Sequence, residues 1–315
     1  MDNAILVALV PVFFVMAIGY AAGRLNVVDN HQVGSLNALV MDFALPASLF
    51  VATASASRSE LLSQAPLFGI LGAAMLLLYF ATYFIQRSFS KASKSDASLE
   101  ALTIAFPNLA GVGLPIVSAV LGPTGMVQLA VALAAGSILV SPITLIVLEL
   151  ERGKGAVGDG PAVRTLRALR RALTKPVVLA PMLGILISLC GLQLGAVIEA
   201  SLLLIGHASA GVALFLTGLI LSAQTFRLNW RIVAATGMAD IVRPLVAAAI
   251  VLLLPVPSEM AKVAILLAAV PSGFFGILFA VNYRLDSAIT GSMVIASTVF
   301  SIATMAVVIA VLFSR

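Results

Sequence analysis

The sequence predicts an all-α integral membrane protein: ten transmembrane helices in two inverted five-helix repeats, with broken helices 4 and 9 crossing at the midplane. Three observations predict this. Hydrophobic residues make up 61% of the 315 residues and charged residues 10%, with a mean hydropathy of +1.15; soluble domains carry roughly 45–50% apolar and about 25% charged residues. Apolar runs long enough to cross hydrocarbon, about 20 residues each, recur on both sides of one polar linker. A proline-interrupted run then occupies the same place in each half.

The first half, 1–150, holds apolar runs near 4–23, 33–53, 65–86, 98–121 and 126–148; the second, 176–315, holds 176–193, 198–222, 231–254, 260–281 and 287–313. The N-terminal run lacks the basic leader of a cleaved signal peptide and reads as a retained first helix. Between the halves lies 151–175, "ERGKGAVGDGPAVRTLRALRRALTK", a glycine-rich linker leading into a basic amphipathic stretch suited to the anionic inner leaflet. Loops after odd-numbered runs hold 14 Lys and Arg residues and the opposite side 3, with Arg243 inside a run. The positive-inside rule puts the rich side in the cytoplasm of a multi-pass inner-membrane protein, with both termini extracytoplasmic. The net charge of +5 thus reflects topology. Nothing aromatic is interleaved with the basic residues for base stacking, so nucleic acid is not expected as a partner.

Five spans per half require the halves to sit in the membrane in opposite orientations. "SLNALVMDFALPASLF" (35–50) echoes "SLLLIGHASAGVALFL" (201–216), "AFPN" (105–108) echoes "AVPS" (269–272), and "SPITL" (141–145) echoes "SIATM" (301–305), at offsets of 166, 164 and 160 residues. Near-constant offsets in the right order describe an inverted repeat, the architecture of secondary transporters that bind substrate where discontinuous helices meet.

The fourth run, "AFPNLAGVGLP", places Pro107, Asn108, Gly111, Gly113 and Pro115 where a helix would be continuous. Pro107 lacks an N–H and its ring clashes with the carbonyl four residues back. Freed backbone groups in hydrocarbon cost several kcal/mol each unless protein, water or ligand satisfies them. The ninth run repeats the device in "AAVPSGFFGILFAVNY", with Pro271 in register with Pro107, Ser272 beside the place of Asn108, then Gly273 and Gly276. Helix N-termini at such a crossing suit an anion, and Asn108 and Ser272 add an amide and a hydroxyl.

These features resemble the auxin efflux carrier family, which contains the plant PIN transporters and bacterial permeases labelled malonate transporters. The resemblance runs along the whole chain and is carried by "FPNLAGVGLP", "VPSGFFGILFAVNY", the ten spans and the basic central loop. It implies the fold of bile-acid sodium symporters, a scaffold and a transport domain with elevator-like movement between them, and a homodimer formed through the scaffold. It also implies a substrate site at the crossing, at positions matching Pro107, Pro271 and Asn108. The family's asparagine-rich span 4 pattern is reduced here to one Asn, and the central loop is short, as in bacterial members.

Ionisable groups inside spans are costly and default to functional roles. Asp42, four residues before Pro46, reads either as a carrier of a coupling proton or sodium ion or as the cap of a half-helix beginning near Pro46. His207, at nearly the repeat position of Asp42, reads as a core hydrogen-bonding residue or a proton relay. Asp240 and Arg243 stand three apart, the spacing of an intrahelical ion pair, with Arg243 alternatively an anion attractant. Gly19–Gly23 and Gly191–Gly195 read as close helix contacts.

No enzyme chemistry assembles from these residues: there is no nucleophile–base pair, and Cys190, alone, makes neither a disulfide nor a thiolate metal site. No cofactor is expected beyond H+ or Na+ coupling. The expected function is secondary active transport of small organic anions such as carboxylates; a sodium-coupled symporter or a non-transporting receptor is the alternative.

Overall fold

The computed structural model describes residues 2–29, 33–122, 125–152, 162–163, 166–167, 170, 174–224 and 228–313. Most of the basic linker therefore lies outside the described residues, as do His31, Arg227 and Arg315. The described residues are helical, with one extended pairing, Pro107 with Ser272.

The helices follow the apolar runs. The first half gives α1 (Asp2–Arg24), α2 (Val33–Ala54), α3 (Arg58–Ser88), α4 (Lys94–Ala105), α5 (Leu109–Leu121) and α6 (Gly125–Glu151). The second gives α7 (Pro176–Leu189), α8 (Ala196–Gly206), α9 (Ala208–Ala223), α10 (Trp230–Leu253), α11 (Ser258–Ala269), α12 (Phe275–Asn282) and α13 (Ala288–Phe313). Polar starts are capped locally: Ser93 Oγ accepts from Asp96 N–H at 3.0 Å, and Asn229 Oδ1 from Ile232 N–H at 3.1 Å, each satisfying a donor the first turn leaves orphaned.

Among the described residues, six stretches are long and apolar enough to cross a membrane: α2, α3, α6, α8 with α9, α10 and α13. The remaining predicted spans are shorter as helices. Runs 4 and 9 are broken in the middle. Run 6 stops at Leu189 rather than 193, and its 14 residues cover about 21 Å at 1.5 Å per residue. It stops because Gly191 takes a left-handed turn (φ 70°), a conformation glycine adopts without steric cost. The predicted contact role of Gly191–Gly195 is thereby corrected: neither faces another atom within 4 Å of an added Cβ. Gly19–Gly23 does serve packing, since a Cβ on Gly19 would stand 2.0 Å from Phe215 O of α9.

Four π-helical turns interrupt the spans, at Leu39–Ala44, Leu109–Gly113, Gly136–Val140 and Met238–Val242. Each is followed two residues later by a proline, Pro46, Pro115, Pro142 or Pro244. Widening the helix ahead of a proline relieves the clash of its ring with the preceding turn. At Pro46 this keeps α2 helical throughout, so no half-helix starts there. Asp42 caps nothing; the N-cap position before the proline is Ala44, without a side-chain bond.

Packing sorts the helices into two groups. In one, α1 runs along α9, and α7 along α2, which also meets α8. In the other, α3 packs on α4, α6 and α10, α10 on α11 and α13, and α4 on α6 and α12. The contacts of α5 with α1 and α9, and of α2 with α6, join the groups.

Candidate functional site

The site is built from the two interruptions. A residue before proline is pushed out of the helical region, and here both obey: Phe106 (φ −97°, ψ 107°) ends α4, and Val270 (φ −56°, ψ 136°) ends α11. The extended segments then pair with each other. Asn108 N–H donates to Pro271 O at 2.8 Å, and Gly273 N–H donates to Phe106 O at 3.0 Å. Only glycine fits at 273, because a Cβ there would lie 2.3 Å from Phe106 O. Phe275 stacks on Phe106 with ring centroids 5.0 Å apart. All residues from 101 to 114 and from 266 to 277 are buried.

Breaking two helices in the interior strands carbonyls. In an unbroken helix, Ile104 O would accept from Asn108 N–H and Ala268 O from Ser272 N–H. Both donors have turned elsewhere, Asn108 to Pro271 and Ser272 to Ser297 Oγ at 2.8 Å. Arg243, 1% exposed, supplies the replacements. Its Nε donates to Ala268 O at 2.8 Å, Nη1 to Ile104 O at 2.5 Å, and Nη2 to Val270 O. One guanidinium thus caps the C-termini of both α4 and α11, where two helix dipoles place negative partial charge.

The predicted Asp240–Arg243 pairing holds only through space: the two charges act on each other, but Arg243 gives its hydrogen bonds to carbonyls of two other helices. Asp240 Oδ1 instead accepts from Ser297 Oγ at 2.7 Å. Ser297 was missed in the sequence, although a signal was there: the echo of "SPITL" and "SIATM" extends four residues back to Ser137 and Ser297.

With the C-termini neutralised, the N-termini of α5 and α12 remain. Asn108 caps α5, its Oδ1 accepting from Gly111 N–H at 2.9 Å. A side chain at 111 would collide with that amide, 2.7 Å from Oδ1, and with Thr217 Oγ1 of α9 at the same distance. Four buried polar atoms around the crossing have no hydrogen-bond partner: Asn108 Nδ2, Ser272 Oγ, Asp240 Oδ2 and Thr298 Oγ1. Buried polar groups are nearly always satisfied, and of these four Asn108 Nδ2 and Ser272 Oγ bring unused hydrogen-bond donors to the crossing.

Residues 4–309 match the sequence profile of a family described as membrane transport protein. The chain belongs to this family, the auxin efflux carriers. It is 29% identical over 276 residues to "Uncharacterized transporter YfdV" of Escherichia coli K12, covering 88% of this chain and 87% of that one. An "Uncharacterized transporter" of Methanothermobacter thermautotrophicus is 24% identical over 297 residues, 92% of this chain and 93% of its own. "Auxin efflux carrier component 8" of Arabidopsis thaliana is 24% identical over 340 aligned positions, 91% of this chain and 92% of its own. As a member of the auxin efflux carrier family the protein is a multi-pass membrane transporter, whose work is to pass a small-molecule substrate across a lipid bilayer.

In this carrier a cavity of about 520 Å³ reaches Leu114 and Ser118 of α5, the helix that Asn108 caps, without being lined by Asn108, Pro107, Pro271 or Ser272 themselves. Leu114 of α5, Ala210 of α9, Ser48, Glu60, Glu199 and His207 are among the residues that line it. Leu114 is three residues beyond Gly111, about 4.5 Å along the helix. His207, at the joint of α8 and α9, is exposed to this cavity, which corrects the reading of a core histidine. Asp42 is exposed and acts electrostatically on Lys175. Lys175 sits 5.0 Å over the Phe279 ring, and burial lowers its pKa despite the opposing charge of Asp42.

Proposed function

We propose that this carrier is a secondary active transporter of small organic anions, carboxylates in particular. It binds them at the crossing and moves them by an elevator-like alternation. One observation carries the reading. Where two broken helices cross, the negative helix ends are capped by Arg243, while the amide donor of Asn108 and the hydroxyl of Ser272 stand buried and unpartnered beside helix N-termini. A carboxylate satisfies both donors and meets the positive end of a helix dipole.

The inverted repeat, 1–150 against 176–315, is supported by the packing. The contact of α1 with α9 and that of α7 with α2 exchange under such a symmetry. Ile104 and Ala268, 164 residues apart, play the same part toward Arg243. Elevator movement is supported by the two packing groups, since the 520 Å³ cavity is lined by α2, α8 and α9 of one, by α3 and α6 of the other, and by α5, which joins them. The charge count supports an extracytoplasmic opening for that cavity, as in an outward-facing carrier.

Uptake of labelled malonate, succinate and acetate into liposomes holding the purified protein tests the proposal. The expected result is carboxylate flux that Asn108→Ala and Ser272→Ala reduce together; flux unchanged in both variants rejects the crossing as the binding place.

A further inference from the structure

We propose that Asp240 is the proton-coupling residue of this carrier, taking up one proton at Oδ2 as the crossing takes up its anion. The inference rests on the reading of the crossing as the anion site. Asp240 sits on the π-turn Met238–Val242 of α10 and is 1% exposed. A hydrogen-bonded chain joins it to the crossing: Ser272 N–H donates to Ser297 Oγ at 2.8 Å, and Ser297 Oγ donates to Asp240 Oδ1 at 2.7 Å. Oδ2 has no partner.

The surroundings hold one cation whose charge acts on this carboxyl, Arg243, and it gives its hydrogen bonds elsewhere. Three elements pack against its turn, α4, α11 and α13, besides the rest of α10. α13 contains no titratable residue over Ala288–Phe313. On α11, Lys262 Nζ pairs with Glu259 at 2.8 Å. On α4 are Lys94 and Asp96 at the start, and Glu100, held by Arg231 of α10 at 2.7 Å. Arg243 is one turn away and its charge acts on Asp240 through space, while its Nη1, Nε and Nη2 donate to Ile104, Ala268 and Val270 rather than to the carboxylate. An ionised carboxylate so placed is expensive, and a proton on Oδ2 removes the charge.

Coupling follows from electrostatics. An anion on Asn108 and Ser272 stands one hydrogen-bonded serine from Asp240, and two negative charges in a low-dielectric interior oppose each other strongly. The anion therefore enters with the proton and leaves with it. Because Asp240 is closed to water in this conformation, proton exchange is confined to states in which the crossing opens, which prevents a proton leak.

Two measurements on the full-length protein in liposomes test this. In the first, infrared difference spectra across a pH titration read carboxylic-acid bands without any substrate. We expect a band that titrates in the wild type and is lost in Asp240→Asn. In Ser297→Ala, which keeps the carboxyl and removes its hydroxyl partner, its midpoint shifts; this second variant also serves if Asp240→Asn does not fold. Identical titrations in wild type and both variants overturn the proposal. In the second, a malonate gradient is imposed and internal pH is followed with a trapped dye. Proton entry with malonate in the wild type, lost in Asp240→Asn while malonate–malonate exchange persists, supports coupling at this residue. Proton entry retained in Asp240→Asn, or malonate flux driven by sodium and indifferent to pH, overturns it. A wild type that moves no carboxylate defeats the anion reading instead, and the infrared arm then still decides whether Asp240 binds the proton.

Discussion

Ile104 and Ala268, 164 residues apart in sequence, give their carbonyls to the same side chain, Arg243, at 2.5 and 2.8 Å. The two helix breaks are therefore one structural unit. Neither broken end is satisfied by its own helix, and both depend on a third helix, α10.

Arg243→Ala strands three buried carbonyls and leaves Asp240 with no cation nearby. Each unsatisfied buried group costs about 1–3 kcal/mol, so the variant is expected to lose at least ~3 kcal/mol and to unfold well below the wild type. Arg243→Lys keeps the charge but not the three-pronged geometry, and should fall between them. Thermal unfolding in detergent, followed by the intrinsic fluorescence of the single Trp230, orders the three proteins; equal midpoints for wild type and Arg243→Ala refute the clamp.

Gly273→Ala addresses the crossing itself. Its Cβ would stand 2.3 Å from Phe106 O, a backbone atom that cannot rotate away, and overpacking of this kind costs about 1–3 kcal/mol. Gly211→Ala is the matched control, with no atom within 4 Å and a helical position where Ala is favoured. The first change should lower both thermal stability and ligand affinity, and the second should leave both intact.

Glu100 and Arg231 provide a test away from the crossing. Glu100 is nearly enclosed (2% side-chain exposure) and relies on Arg231 at 2.7 Å, which also reaches Gln86 at 3.3 Å. The pair ties α3, α4 and α10 together. Removing one partner of a buried pair leaves an uncompensated charge, while removing both charges is close to neutral. Arg231→Ala should therefore lower the unfolding temperature, and Arg231→Ala with Glu100→Gln should recover most of the loss. A double variant no better than the single one rules out an electrostatic origin.

What was legible in the sequence was what the backbone decides locally. Pro107 and Pro271 announce their breaks through a missing N–H and a ring clash, and Asn108 reads as an amide donor, while its role as the cap of α5 emerges only from the fold. Arg243 was visible as a buried charge, but its partners are carbonyls on α4 and α11, and only the fold brings those within reach. The i, i+3 rule pointed it at Asp240 because that rule knows a single helix. Asp42 misled for a related reason: proline was taken to end a helix, whereas a π-turn carries α2 through Pro46.

Asn108 is the most informative single position because its two side-chain atoms do separable things. Oδ1 caps α5 by accepting from Gly111 N–H at 2.9 Å, while Nδ2 is buried with no partner. Serine also caps helices well but ends short of where the amide donor stands. Asn108→Ser should thus keep near wild-type stability, whereas Asn108→Ala should lose about 1 kcal/mol of capping energy. If Nδ2 serves a carboxylate, both lose a hydrogen bond to a charged group, about 1.5–3 kcal/mol, equivalent to a roughly 10–150-fold weaker apparent affinity at 1.4 kcal/mol per tenfold. Malonate-dependent thermal shifts and liposome uptake read the two effects separately. Affinity that follows the capping loss, falling in Asn108→Ala and holding in Asn108→Ser, would mean that Asn108 acts only through the helix it caps.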